Sequence, residues 1–324
     1  MKFRFLLVFI LPLLLIGCAA PSIKRTRMEP PKIFLKDKTK LALMKVEGPW
    51  EAKGKINSGL TRDLTSRGHY QLMDISNDDQ QQVGIPFDIK ISKSGNVEIK
   101  GGQLPSAASD ADVLMKVTVT KYRLNQTQGS ESEKYYETIE RDGKREEVTR
   151  YRQRPYIEQT GSAGFNVQLV DAKTRTFIAS RDYEKDYYWK QFTDTSYHLE
   201  DRDSILEGLL DISVQNFVND LYPQTVTDSL QFKKSDELVK PGVDLAKKGN
   251  YRGAQEEWER VAMTNPKNHE AQYNIGVVHF LFNELAEARK QFSTAYQLAP
   301  NQDYISALQL VDAIEGDKEK LKYW

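Results

Sequence analysis

One cysteine in 324 residues excludes an intrachain disulfide and any multi-cysteine metal site. Four histidines, at positions 69, 198, 269 and 279, leave little room for histidine-rich metal chemistry, and no His-Glu-x-x-His run occurs. Neither sign of charge is in excess: 46 Lys and Arg face 46 Asp and Glu. A nucleic-acid binder normally carries a basic surplus, so nucleic acid is not an expected partner. Ser94-Gly95 and Gly101-Gly102 lack the spacing and the lysine of a phosphate-cradling loop. The acidic pairs Asp78-Asp79 and Glu146-Glu147 sit in polar runs and read as solvated faces. With no nucleophile beside a base, the chain reads as non-catalytic, with no cofactor and no metal. Its longest apolar run, Phe5–Ile16, is short of the about 20 residues that a helical membrane span needs.

That run is the right length for the core of a secretory signal, and Lys2 and Arg4 supply the positive residues ahead of it. It ends in Leu15-Ile16-Gly17-Cys18, followed by Ala19-Ala20. The junction resembles the bacterial lipoprotein signal, in which a small residue precedes the cysteine to be acylated. The resemblance implies cleavage after residues 1–17 and a lipid on Cys18, palmitate among the acyl chains. Ala19 in place of aspartate implies sorting to the outer membrane, with the protein on its periplasmic face. Two or more acyl chains give stable anchoring where one is marginal. Cleavage removes Lys2 and Arg4, leaving 44 basic against 46 acidic residues, a net charge of −2. Residues 18–38, with Pro21, Pro30 and Pro31, read as a flexible tether. Lys24, Arg25 and Arg27 could lie along anionic headgroups or be plain solvated spacer.

Apolar content of 39% with 28% charge is globular, and the length suggests about two domains. The expected fold class is α+β: an N-terminal mixed-sheet α/β domain with two helices, then an all-α hairpin array. Residues 39–222 form the first. Lys40–Val46 reads as a strand, Glu51–Arg67 as a helix stopped by Gly68, and His69–Ile75 as a second strand. Asp112–Arg123 alternates and is β-branched, and Phe165–Val170 and Thr176–Tyr188 follow, joined by a turn at 171–174. Ser204-Ile205-Leu206-Glu207 has the form of a capping box for a helix whose apolar face runs from Leu206 to Leu221, ended by Pro223. "LALMKV", "GHYQLMD", "ADVLMKVTV" and "FNVQLVDAKTRTFI" in this order resemble the α/β domain of the curli-secretion lipoprotein CsgG, TolB-N and LpoB-type envelope lipoproteins. That resemblance implies a binder or oligomer builder, without catalytic residues.

Two inserts depart from it. A small hairpin is expected over Phe87–Lys100, turning at Ser94-Gly95-Asn96. Residues 124–160 are highly charged, with a hairpin turn at Asp142-Gly143. A membrane-spanning strand needs about ten residues of alternating apolar side chains, which Thr138–Arg141 and Lys144–Arg150 do not offer. The insert therefore reads as an arm in water. With Tyr135, Tyr136, Tyr151 and Tyr156 among Arg and Glu, it could be a polar interface or merely solvated.

The tail repeats. A shift of 34 residues places Gly242 on Gly276, Tyr251 on Leu285, Ala254 on Ala288, Trp258 on Phe292, Val261 on Ala295 and Pro266 on Pro300. This register is similar to the tetratricopeptide repeat (TPR). Residues 235–324 are thus expected to hold two repeats and a capping helix over 303–316, closed by Gly316. Pro241 falls inside the first helix, which either starts or kinks there. By the resemblance, the concave face is a partner-binding groove lined by Val243 and Lys247 from the first repeat. The second adds Tyr273, Asn274, Val277, Phe280 and Leu281, with Asn274 able to contact a peptide backbone. The same side chains would equally suit burial under the linker or the neighbouring domain.

The expected function is an outer-membrane-anchored scaffold that assembles or regulates a cell-envelope complex. Its partners would be the membrane, through the N-terminal lipid, and an envelope protein or peptide segment, with a homo-oligomer as a further expectation. The alternative is a ring-forming accessory or subunit of a CsgG-like export assembly.

Overall fold

The computed structural model describes residues 21–75, 88–91, 97–100, 108–194 and 196–324. The signal segment and Cys18 lie outside the described residues. In chain order the elements are β1 (Ser22–Glu29), β2 (Lys40–Glu47), α1 (Trp50–Arg67), β3 (Gln71–Asp74), β4 (Asp88–Ile91), β5 (Val97–Lys100), β6 (Val113–Arg141), β7 (Lys144–Asp171) and β8 (Phe177–Phe192). Then come α2 (Arg202–Leu221), β9 (Gln224–Gln231), α3 (Lys240–Lys247), α4 (Tyr251–Thr264), α5 (His269–Leu281), α6 (Leu285–Leu298) and α7 (Gln302–Leu321). They divide into two units. One runs from Pro30 to Gln224 and includes Tyr323–Trp324; the other combines residues 21–29 with Thr225–Lys322.

The first unit is built on a five-stranded mixed sheet in the order β3-β2-β6-β7-β8. β2 runs parallel to both β3 and β6, while β6, β7 and β8 are antiparallel. The expected apolar positions of α1 (Ile56, Leu60, Leu64) and α2 (Leu206, Leu209, Leu210, Phe217, Val218, Leu221) are buried in one cluster with Leu41, Leu43, Val117, Phe165 and Val167 of the sheet. Gly68 ends α1 in the left-handed conformation, φ 74°, as a glycine stop requires. Asp171 accepts the N–H groups of Lys173 and Thr174 at 2.9 and 2.7 Å and makes the expected turn between β7 and β8. Within the same unit Trp324 stacks on His69 with ring centroids 3.8 Å apart, and Tyr70 and Tyr222 meet it edge-on.

Several sequence expectations change. Residues 124–160 form the expected hairpin, and not as a separate element: β6 and β7 run on through them, paired from Val113↔Asp171 to Arg141↔Lys144. The arm is the outward extension of two core strands, turning at Asp142 and Gly143, both at positive φ. The cap of α2 is Asp201, which accepts from the N–H of Asp203 and Ser204; Ser204 itself lies inside the helix. An ionised carboxylate there satisfies two otherwise orphaned donors and faces the positive end of the helix dipole. β4 and β5 pair antiparallel as the small hairpin requires; its Ser94-Gly95-Asn96 turn lies outside the described residues.

The tether expectation for residues 18–38 fails over its described part. Ser22–Glu29 is a strand paired with β9, and Ile33 and Leu35 are buried in the core of the sheet unit. The inward positions of β1 alternate as Ile23, Arg25, Arg27 and Glu29, so period two is present but written in charged residues. In the second unit α3 starts at Lys240 with Pro241 in its first turn, behind a short 3-10 turn at Glu237–Val239. Helix α7 runs on through Gly316 to Leu321, and it buries Tyr304, Ala307, Val311 and Ile314. The repeat unit also takes in β1, β9 and Phe232, upstream of the expected boundary at 235.

Candidate functional site

The helix pairs α3/α4 and α5/α6 pack in the expected 34-residue register. Ala254, Trp258, Ala288, Phe292 and Ala295 are all buried. The Trp258 indole donates from Nε1 to the Val239 carbonyl at 2.9 Å, which fixes the large ring of the first repeat.

The first helices of the repeats do not present an open groove. Val243, Tyr273, Asn274, Val277 and Phe280 are each no more than 2% exposed. Leu281 is half-buried, and Lys247 stands in solvent paired with Asp244 at 2.8 Å. The face is filled by this unit's own chain. Phe232, 1% exposed, lies with its ring centroid 5.0 Å from that of Trp258. Asn274 accepts from the Lys233 N–H at 2.7 Å and donates to the Lys233 carbonyl at 2.8 Å. The Lys233 ammonium pairs with Asp303 and lies 5.7 and 5.9 Å from the ring centroids of Tyr273 and Tyr304. The Asp236 N–H donates to Glu270 at 2.9 Å, and Asn268 donates to the Asp236 carboxylate at 3.0 Å. Residues 232–236 thus lie against the repeats as a bound peptide would, held through the main chain at Lys233 and Asp236 and through the side chains of Phe232, Lys233 and Asp236.

Strand β1 covers the rest of the same face. Arg25 donates to the Phe280 carbonyl at 3.4 Å and to Asn283 at 2.6 Å, with its guanidinium 5.1 Å from the Phe280 ring centroid. Arg27 bonds Asp228 of β9 at 2.8 Å and Asp317 of α7 at 2.6 Å.

Burial, with the Asp303 charge and the neighbouring tyrosine, pushes the Tyr273 hydroxyl well above the ordinary phenol range. Burial raises Tyr304 likewise, helped by Glu270 and Asp303. Both phenols therefore stay neutral, and their rings offer electron-rich faces to the cation beside Asp303.

Sequence reading placed Tyr273, Asn274, Val277 and Phe280 together, and the structure puts all four under the covering segments. It missed Arg25, Phe232, Lys233 and Tyr304. The signal for Phe232 was the lone aromatic of Gln231-Phe232-Lys233-Lys234, just ahead of the repeats.

A second surface belongs to the sheet unit. On one face of the arm Glu133 bonds Arg152 at 2.6 Å and Arg154 at 3.0 Å, and Arg154 continues to Asp194 at 2.8 Å. Those bonds hold the Arg154 guanidinium above its usual range and Glu133 below its own. Tyr136 and Tyr151 are exposed, at 59% and 70%. Trp50, 82% exposed at the start of α1, borders a shallow depression with Asn57, Arg62 and Asp74. Among the described residues no cluster of three His, Cys, Asp or Glu could hold a metal ion, and no helix is long and apolar enough to cross a membrane.

No curated protein matches the chain. Among solved structures, a point-substituted PelC dodecamer from Paraburkholderia phytofirmans shares 11% identity over 61% of this chain and 98% of that one, with a TM-score of 0.25. A second PelC dodecamer from the same organism shares 10% identity over 62% and 98%, with a TM-score of 0.26. At such scores neither carries an argument about this chain. Residues 242–303 match the tetratricopeptide repeat family, and the paired helices α3 to α6 make this C-terminal array one of that kind, a fold that serves as a protein-interaction scaffold.

Proposed function

We propose that the chain is an outer-membrane-anchored periplasmic lipoprotein, non-catalytic, that works as an interaction scaffold within a cell-envelope complex. One observation carries the scaffold part: a tetratricopeptide array whose first-helix face grips an extended segment through Asn274. The anchor rests on the Gly17-Cys18 junction, where the chain's only cysteine follows a signal-like run. The test is metabolic labelling with palmitate, with density fractionation of the membranes, for wild type and Cys18→Ala. Label and outer-membrane density lost together in the variant support the anchor; label retained without Cys18 overturns it. Crosslinking in intact cells followed by isolation of the lipidated chain tests the scaffold, which requires one stoichiometric envelope protein.

The ring-forming alternative has its own observation. β2 pairs with β6 only as far as Thr118, so among the described residues β6 from Val119 to Arg141 has β7 on one side and no strand on the other. Long open edges invite a further strand. A native mass of several chains would support this reading, and a monomer at micromolar concentration would remove it.

A further inference from the structure

The polar contacts of residues 232–236 are those that a separate peptide could make. Asn274 is wholly buried, and one residue of the covering segment satisfies both ends of its amide. An apolar side chain at this position would leave the Lys233 N–H and carbonyl without a partner, so a backbone laid on this face calls for an amide. The amide does what an apolar residue cannot: it fixes the register of an extended backbone whatever its sequence. Side-chain selection comes from two neighbouring seats. Trp258, with Tyr251 behind it at 6.4 Å from the Phe232 ring, takes an aromatic. Asp303, with the stacked rings of Tyr273 and Tyr304 beside it, takes a cation. The segment is in neither helix nor strand, and its release breaks one bond beside the β1–β9 pairing, from the Phe232 N–H to the Pro21 carbonyl at 3.0 Å.

We infer that the concave face of the repeats is an exchange site, that residues 232–236 are its resident stand-in, and that the partner is an extended segment carrying an aromatic residue followed directly by lysine. The inference rests on the scaffold reading for what such a segment belongs to, and on nothing else in it. The resident is covalently tethered, so its effective concentration is of millimolar order and a free peptide meets a mostly filled site. Apparent affinity is then the intrinsic affinity scaled by the open fraction.

The probe is a fluorescein-labelled peptide with the sequence of residues 229–238, SLQFKKSDEL. Its anisotropy is titrated with the full mature chain in detergent. Weak binding is expected to wild type, and binding about tenfold tighter to Lys233→Ala, whose resident has lost its charge-assisted contact. Phe232→Ala should tighten it further, but that chain could lose its fold; Lys233→Ala alters a half-exposed side chain and keeps the test alive. A peptide with both its aromatic and the following lysine changed to alanine should not bind at all. The inference falls if folded Lys233→Ala, with an unchanged cooperative melt, binds the probe no better than wild type. It falls equally if the doubly substituted peptide binds as well as the native one. Failure here with an envelope partner still crosslinked would leave the scaffold and remove the exchange site. Exchange without any such partner would do the reverse.

Discussion

Gly242 and Trp258 share one space: a Cβ at position 242 would lie 2.4 Å from the indole Nε1. In the second repeat Gly276 stands against Phe292 in the same way, its would-be Cβ 2.7 Å from the ring. Each repeat thus closes its helix pair by removing a side chain from one helix to admit a large ring from the other.

Gly242→Ala should therefore destabilise the repeat unit by about 2 kcal/mol, in the range of over-packed cores. The indole cannot retreat without giving up its bond to the Val239 carbonyl. Gly276→Ala should cost less, because Phe292 has no hydrogen bond to lose. Gly316→Ala is the control: it sits inside α7 with nothing within 4 Å, and it should stabilise by about 0.5–1 kcal/mol. Urea midpoints of the three variants check the order, and a harmless Gly242→Ala would refute the shared-space account.

Arg27 leads to a second expectation. Its side chain is 11% exposed, and Asp228 and Asp317 are 11% and 15% exposed around it. Arg27→Gln would leave two carboxylates facing each other with no cation between them. A loss of about 3 kcal/mol is expected, with early hydrogen exchange over residues 22–29. The double variant Arg27→Gln, Asp317→Asn should recover part of that loss. A loss below about 0.5 kcal/mol would place the trio among ordinary surface pairs.

The same residues explain what the sequence could and could not disclose. The repeats were legible because Gly242, Ala254 and Pro266 recur 34 residues later, with Phe292 answering Trp258, and a recurring close contact leaves a recurring residue or a like one. The sheet unit was legible from its strand runs: Leu41, Ala42 and Leu43 are a short, wholly buried apolar stretch, and Val117 alternates with Lys116 and Thr118. Strand β1 was not, because its inward positions past Ile23 are charged, and the partners of Arg27, Asp228 and Asp317, lie 201 and 290 residues away. Hydropathy cannot flag a side chain buried by its counter-ion. The site was half legible for a similar reason. Asn274 could be named from its place in a repeat, but its occupant, Lys233, is chosen by tertiary contact.

Acid should act on the sheet unit through Asp171. The Lys38 ammonium, with the N–H groups of Thr174 and Lys173, holds its carboxyl far below the usual range. A depressed folded-state pKa gives stability that is fully present above the unfolded value, about 3.9, and is lost as pH falls below it. For Asp112, burial works the other way, but the N–H groups of Lys40 and Thr39 and the Lys173 ammonium keep it low as well. Asp171→Asn should cost on the order of 2 kcal/mol at pH 7 and clearly less near pH 2, the remainder fading only below the depressed folded-state pKa. Urea midpoints at the two pH values measure this directly. A gap of constant size would show that the carboxylate charge is not what holds the turn.

The arm supplies the last expectation. None of residues 129–156 is among the buried residues, whereas Ile157 is 5% exposed and belongs to the sheet. Gln128 and Ile157 face each other across β6 and β7, so an Asn-Gly turn can join them directly. Excising 129–156 in this way removes the ion pairs around Glu133 and Arg154 but takes no apolar core with it. Exposed pairs contribute little to folding and fade in salt, so the shortened chain should melt within about 3 °C of wild type. Loss of cooperative melting would mean that the long β6–β7 ladder organises the sheet from its tip. An unchanged melt would leave the arm free of any folding duty, and its exposed Tyr136 and Tyr151 then become the side chains to substitute in a crosslinking experiment that maps which face of the arm meets another protein.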